Sequence, residues 1–363
     1  MQMKGHLWIE KNLWNMLLAA NQNCYNETKK FLTRNDMQKM VKDTGLFSQV
    51  AQTVSHRLQK ALWRMVKLRK QGKECGYPRF KNIDRMKSLN YPQAGFKLDN
   101  KLKVTPFGEI SIKKHREIEG KIKTLTLKRE SSGKWFATFC VETEPRTPKI
   151  NHGEYVGIDL GLTKFAVLSN KEVIKNPRHL KQYEDRLALL QQRLSKKKKG
   201  SKNRKRAKHK VALLHEKVAN ARIDFLHKTS TRLVNTYSLI ALENLASQEM
   251  AEQNYGKQIN DAGWNTFANM VSYKAESAGC RIVFVNPHNT TQECSNCHDI
   301  VKKELSDRIH DCPYCGLVMD RDLNAAKNIL IRATAGLAEC QASGDGDSLP
   351  SLKEEAHTIH GWE

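Results

Sequence analysis

Four of the nine cysteines fall in two CxxC pairs, Cys294 with Cys297 and Cys312 with Cys315, fourteen residues apart in ECSNCHDIVKKELSDRIHDCPYCG. A segment this short cannot build its own core. Four thiolates match tetrahedral Zn²⁺, whose binding supplies folding energy to such a segment. Two redox-active CxxC pairs are the competing reading, but neither follows a thioredoxin-like strand-to-helix entrance. With cysteine at every ligand position no coordination site is left open for chemistry, so the zinc is structural. His298 and His310 are read as supporting or surface groups. The other cysteines, Cys24, Cys75, Cys140, Cys280 and Cys340, are scattered. An odd total without a secretory leader argues for reduced thiols.

The 363 residues allow two or three domains, and a hydrophobic content of 39% is enough for their cores. A formal charge of +24, from 62 Lys and Arg against 38 Asp and Glu, points to a polyanionic partner. No stretch approaches the about 18 uninterrupted apolar residues of a membrane span, so the expectation is a soluble cytoplasmic protein with no membrane partner.

The apolar pattern changes period along the chain. From Leu7 to about Arg69 it is helical, with Leu13, Leu17 and Leu18 on one pattern and Val50, Val54, Leu58, Leu62 and Met65 on another. The segments SLNYPQAGFKL, KLKVTPFGEISI, KIKTLTLKRE and KWFATFCVE then read as short antiparallel strands, which suggests a small barrel or sandwich. From Tyr155 onwards strands and helices alternate in the manner of a mixed sheet covered by helices. Within the helical region after His179, ten of the fifteen residues from Lys196 to Lys210 are Lys or Arg. Such a density of like charge favours phosphate contact over a merely solvated hairpin tip.

Three carboxylates stand out. Asp159 lies in the strand GIDLG, Glu243 ends the apolar strand SLIALE, and DRD, with Asp320 and Asp322, precedes the helical NAAKNILI. Either aspartate of DRD can cap that helix, and a lone strand-end Asp can serve a turn. A carboxylate ending a buried strand is costly unless it is paired or holds a cation. Gathered by one sheet, such groups suit two divalent ions of the hard, oxygen-preferring kind, Mg²⁺ foremost, acting on phosphodiesters.

GIDLG, the strand ending LEN, the pairs CSNC and CPYCG, and DRDLNAAKNI together resemble the transposon-encoded RNA-guided DNA endonucleases known as TnpB, a group related to the type V CRISPR effectors. The resemblance continues through GYPRFK, HREIEGKIKTLTLKRESSGKW and GLTKFAVLS and so covers nearly the whole chain. It implies a multidomain protein: a RuvC-like nuclease domain of RNase H fold with an inserted zinc element, preceded by a β-barrel wedge domain and a helical recognition domain. The implied boundaries are 1–75 for the helical domain with a reduced N-terminal wedge segment, and 76–150 for the barrel. The nuclease domain takes 151–289 with its basic hairpin, the zinc insertion 290–319 and the final helix 320–337; a disordered tail takes 338–363. Family members commonly open on a strand of which MQMKGHLWIEKNLW keeps only a reduced equivalent.

The resemblance also implies that Asp159, Glu243 and Asp322 are the catalytic, Mg²⁺-binding residues, with Asp322 preferred to Asp320 because it lies two residues before NAA. The implied partners are a guide RNA made from the transposon end and a DNA target beside a short recognition motif, bound by a monomer. Two other functions are open: a guide-dependent DNA-binding repressor that does not cut, and a transposase joining DNA ends. No further constellation for strand transfer supports the latter.

Overall fold

A computed structural model describes residues 2–144, 147, 150–245, 256–304 and 306–342. The chain forms two compact units, Met1–Pro145 with Leu194–Leu213, and Arg146–Arg193 with Leu214–Glu363.

The first unit opens with helices α1 (Gln2–Thr28), α2 (Arg34–Met40) and α3 (Ser48–Lys70). Leu7, Leu13, Leu17 and Leu18 are buried on α1, and Val50, Val54, Leu58, Leu62 and Met65 on α3. Spacings of four and three on α3, and the recurrence of Leu13, Leu17 and Leu18 about two turns after Leu7 on α1, give each helix one apolar stripe. The helical pattern is interrupted before α2, where Thr33 and Asp36 form a reciprocal capping box. The residues expected to keep a reduced strand are helical from Gln2 onward, because the stripe beginning at Leu7 has helical and not alternating period.

The strands of this unit make two antiparallel sheets. One orders β1 (Ser88–Tyr91), β5 (Lys121–Arg129) and β6 (Trp135–Glu142) as β1-β5-β6; the other is β2 (Phe96–Leu98), β3 (Leu102–Val104) and β4 (Gly108–Ile110). Among the described residues no ladder joins them, so the expected barrel closure is not seen. The strands of the second sheet are three residues long, too short to continue pairing around a barrel. Leu89, Tyr91, Leu102, Val104, Leu125 and Leu127 share one core with the helices.

The second unit contains β7 (Tyr155–Leu160), β8 (Lys164–Leu168), β9 (Val173–Lys175), α4 (His179–Gln182), most of α5 (Glu184–Ser195), the greater part of α6 (Lys202–Thr236), β10 (Leu239–Glu243), α7 (Gly256–Ala262), α8 (Trp264–Ala278), β11 (Arg281–Val285), β12 (Ile309–Asp311), β13 (Val318–Asp320) and α9 (Arg321–Ala342). Its sheet runs β9-β8-β7-β10-β11. The β7–β8 and β8–β9 pairs are antiparallel, and β10 is parallel to both β7 and β11. The helices between β9 and β10, and α8 between β10 and β11, supply the crossovers that parallel pairing requires.

Alternation divides this sheet between two cores. Val156, Ile158, Ile240 and Leu242 face a large core that includes Leu226, Leu233, Phe267 and Val271. Leu239, Ala241 and Val285 face Ile329 and Ala333 of α9. Helix α9 continues through Ala342, beyond the point at which a disordered tail is expected from the sequence; residues 343–363 lie outside the described residues. Among the described residues no helix is long and apolar enough to cross a membrane.

Candidate active site

Since Val156 and Ile158 point to the large core, Gly157 and Asp159 lie on the opposite, α9-facing side of β7. On β10 the same parity puts Glu243 with Leu239 and Ala241 on that side. The parallel register pairs Leu242 with Ile158, so Glu243 and Asp159 are the next residues along their strands. Helix α9 brings Asp322 to this sheet end. A Cβ at Gly157 would stand 2.1 Å from the Ala326 carbonyl oxygen and 2.7 Å from the Leu330 nitrogen. Only glycine admits α9 this close to β7.

Asp159 and Glu243 are half-buried there. Burial pushes the Asp159 carboxyl well above the ordinary aspartate range, and the like charges of Glu243, Asp322 and Asp320 push it the same way, while Arg321 opposes them. Burial raises Glu243 as well, against a hydrogen bond from Thr290 and the charge of Arg332. Thr290 Oγ1 donates to Glu243 Oε1 at 2.5 Å. Lys164 Nζ lies 2.8 Å from Asp320 Oδ2 and 3.6 Å from Asp322 Oδ2, and Arg321 Nη2 is 3.4 Å from Asp322 Oδ1. A sheet end where like-charged carboxyls resist ionisation is one that an added cation relieves.

The two aspartates of DRD have different partners. Asp320 Oδ1 accepts from the Asp322 nitrogen at 3.0 Å and the Leu323 nitrogen at 3.1 Å, which caps the first turn of α9. Partial burial works against its charge, but the Lys164 hydrogen bond and these backbone donors outweigh it and hold the carboxyl below its usual range. Asp322 lies within the helix, with 20% of its side chain exposed.

The four cysteines come together. Their sulfurs all lie within 4.8 Å of one another, with Cys294 and Cys315 at 3.6 Å and Cys297 and Cys312 at 3.5 Å. These separations are far longer than a disulfide bond of about 2.05 Å, and close to the about 3.8 Å edge of a tetrahedron with 2.3 Å metal–sulfur bonds. Each pair sits in a tight turn. The His298 nitrogen donates to the Cys294 carbonyl and the Gly316 nitrogen to the Cys312 carbonyl, and both residues following the pairs take positive φ. Among the described residues these cysteines are the one group of three or more His, Cys, Asp or Glu whose ligand atoms approach so closely. Asp159, Glu243 and Asp322 share a sheet end without forming so compact a set.

Sequence reasoning did not single out Lys164, Thr290, or the α9 residues Asn324, Asn328 and Arg332. The asparagines carried a signal. Two asparagines four residues apart in an apolar helix are costly to bury without partners, and here Asn324 and Asn328 are 0% and 1% exposed.

Residues 138–254 match the family OrfB_IS605, described as "Probable transposase", and residues 264–329 match the Cas12f1-like TNB domain. The chain is 35% identical over 294 residues to a "Putative RNA-guided DNA endonuclease" of Streptomyces pristinaespiralis, covering 79% of this chain and 71% of that one. It is 30% identical over 286 residues to the "Putative RNA-guided DNA endonuclease InsQ" of Escherichia coli, covering 73% and 71%. Its fold is similar to a chain of a Cas12f1–sgRNA–target DNA complex, with a TM-score of 0.57 and 16% identity over 90% of this chain and 82% of that one. Whole-chain likeness, the matched TNB segment around the cysteines and the carboxylate-bearing sheet agree: the chain belongs to the TnpB/Cas12f1-type, IS200/IS605-related family of RNA-guided DNA endonucleases.

Proposed function

We propose that this chain cuts DNA under the direction of a guide RNA, with Asp159, Glu243 and Asp322 as the catalytic carboxylates of a RuvC-like nuclease domain. The observation that carries this reading is the parity of β7 and β10, together with the approach of α9 over Gly157, which collects three sequence-distant carboxylates at one sheet end. These residues would hold Mg²⁺, which is suited to all-oxygen donors, in a pair of ions. Bound there, the ions supply Lewis acidity and an activated water for phosphodiester hydrolysis. The chain's own contribution is orientation: α9 fixes Asp322, and the hydroxyl of Thr290 holds one oxygen of Glu243. Cys294, Cys297, Cys312 and Cys315 would hold Zn²⁺ as scaffolding, the role their four-sulfur donor set fits.

The remaining assignments follow the family. Segment 1–75 serves recognition, 76–150 is the wedge, 151–289 with 320–337 is the nuclease and 290–319 is the target-nucleic-acid element. The partners are a guide RNA from the transposon end and DNA beside a short motif, and the exposed lysines at 196–199 favour such polyanions. The purified chain is incubated with its guide, a matched duplex and Mg²⁺, beside D159A and E243A. Cleavage by the wild type and none by the variants, with guide-dependent binding kept in all three, is the expected result. Stable binding without a cut strand in the wild type would identify a binding-only repressor instead.

A further inference from the structure

Helix α9 grips the segment from Asn286 to Ser295 with three side chains spaced one turn apart. Asn324 Nδ2 donates to the Glu293 carbonyl at 2.7 Å, and its Oδ1 accepts from the Ser295 nitrogen at 2.9 Å. Asn328 Nδ2 donates to the Thr290 carbonyl at 2.9 Å and to the Glu293 carbonyl at 2.7 Å. Arg332 donates to the Asn286 and His288 carbonyls at 3.0 and 2.7 Å and pairs with Glu293 Oε2 at 2.5 Å. Positions i, i+4 and i+8 share one helix face, so the three act as a ladder along one strip of backbone.

That strip ends on the two features already described. Ser295 lies within the first CxxC pair, and Thr290 donates its hydroxyl to Glu243. Thr290 is 2% exposed, and its hydroxyl has only one proton for two acceptors, Glu243 Oε1 at 2.5 Å and the Pro287 carbonyl at 3.1 Å. The closer acceptor, the Glu243 carboxyl oxygen, takes it. One Glu243 oxygen is thereby engaged and the carboxylate's rotation about the sheet end is fixed. The hydroxyl can do this only while its own backbone is held, and Asn328 holds it. A threonine serving its turn alone would need only the Pro287 contact.

We propose that Thr290 is a positioning residue for Glu243, seated by the Asn324–Asn328–Arg332 ladder, so that the cysteine element and the carboxylate site form one hydrogen-bonded frame. This rests on the reading of Glu243 as a catalytic ligand. The hydroxyl presents a preset carboxylate to the cation, and loss of such an outer contact characteristically lowers metal affinity or activity about 10–100-fold.

The test compares T290V, T290S and E243A in the full chain with its guide. Four quantities are read: the single-turnover cleavage rate, guide-dependent DNA affinity, zinc content, and Mn²⁺ affinity by electron paramagnetic resonance. T290V is expected to cut about 10–100-fold more slowly and bind Mn²⁺ about tenfold more weakly, with DNA affinity and zinc content unchanged, while T290S recovers both losses. T290A replaces T290V if the second methyl prevents folding. Wild-type cutting and Mn²⁺ affinity in T290V beside an inactive, Mn²⁺-deficient E243A overturn the positioning role and leave the active-site reading standing. A T290S variant as poor as T290V also overturns it, because the hydroxyl would then not be the operative group. E243A that cuts and binds Mn²⁺ like the wild type removes the active-site reading and this inference together.

Discussion

At Asp320 the carboxylate faces two backbone nitrogens and Lys164, whereas at Asp322 the neighbours are the side chains of Lys164 and Arg321. Removing each should therefore fail differently. D320A loses a helix cap, worth about 0.5–2 kcal/mol of stability, and keeps most of its cleavage rate. If Asp322 is the catalytic ligand proposed above, D322A loses cleavage while guide-dependent DNA binding persists, since such a ligand acts in the chemical step. Rates and melting curves measured side by side decide between them, and an active D322A with an inactive D320A reverses the roles. The strand carboxylates were legible in the sequence because alternation in GIDLG and LIALE sets them apart from apolar neighbours. Lys164 and Thr290 were not legible. Lys164 lies 156 residues from Asp320, and Thr290 lies 47 from Glu243. Contacts at such separation depend on sheet register and helix placement, which no local pattern encodes.

Among elements, the helical pair α1 and α3 contains a buried charge that composition could not reveal. Glu10 is 0% exposed and meets Arg57 Nη1 at 2.8 Å. Burial raises its carboxyl to about 7, against the lowering charges of Arg57 and Lys81. Between pH about 4.5, where the unfolded group titrates, and about 7 the folded chain therefore binds the extra proton. Stability falls as pH rises through that window, and the contribution present at low pH is gone above it. E10Q does not titrate, so its stability relative to wild type should rise across the window by about 2–4 kcal/mol. Chemical denaturation of both proteins at pH 4.5 and 7.5 reads this difference, and an unchanged difference would contradict the raised carboxyl. The cysteine element makes the complementary case. Its two CxxC pairs pointed to the four-sulfur cluster, because a tight turn gathers the two thiols of each pair, and the two pairs meet at 3.5 and 3.6 Å. C312S removes the sulfur of a residue that is 1% exposed. On the proposed zinc assignment this should lower the zinc content and open residues 290–319 to proteolysis, because metal binding and folding are coupled in such a segment. Native zinc content together with wild-type protease resistance in C312S would overturn the scaffold role. Barrel closure was not legible, for the converse reason. Alternation shows that a strand exists, but closure depends on strand length and partner order, and three-residue strands leave nothing to close with.

Over the whole molecule the dominant quantity is charge, +24 in all, concentrated in the run from Lys196 to Lys210. Residues 196–199 are exposed, in the turn between α5 and α6, while Arg204 is turned inward to the Leu194 and Lys197 carbonyls. Arg204 therefore closes the turn, and the four lysines are free to meet a polyanion. Exposed like charges repel one another in isolation. Binding to nucleic acid changes the sign of their contribution, since every neutralised phosphate releases condensed counterion. Replacing Lys196, Lys197, Lys198 and Lys199 with Gln should lower affinity for the guide and for matched DNA. The logarithmic salt slope should become shallower by about 0.7–0.9 for each phosphate no longer neutralised, about 3 if all four lysines take part. The melting temperature should hold or rise slightly, since the substitutions remove repulsion and no buried side chain. Titrations at several salt concentrations separate the terms: weaker binding with an unchanged slope would mean a shape effect, and an unchanged affinity and slope would make the run a solvated turn whose charge serves solubility alone.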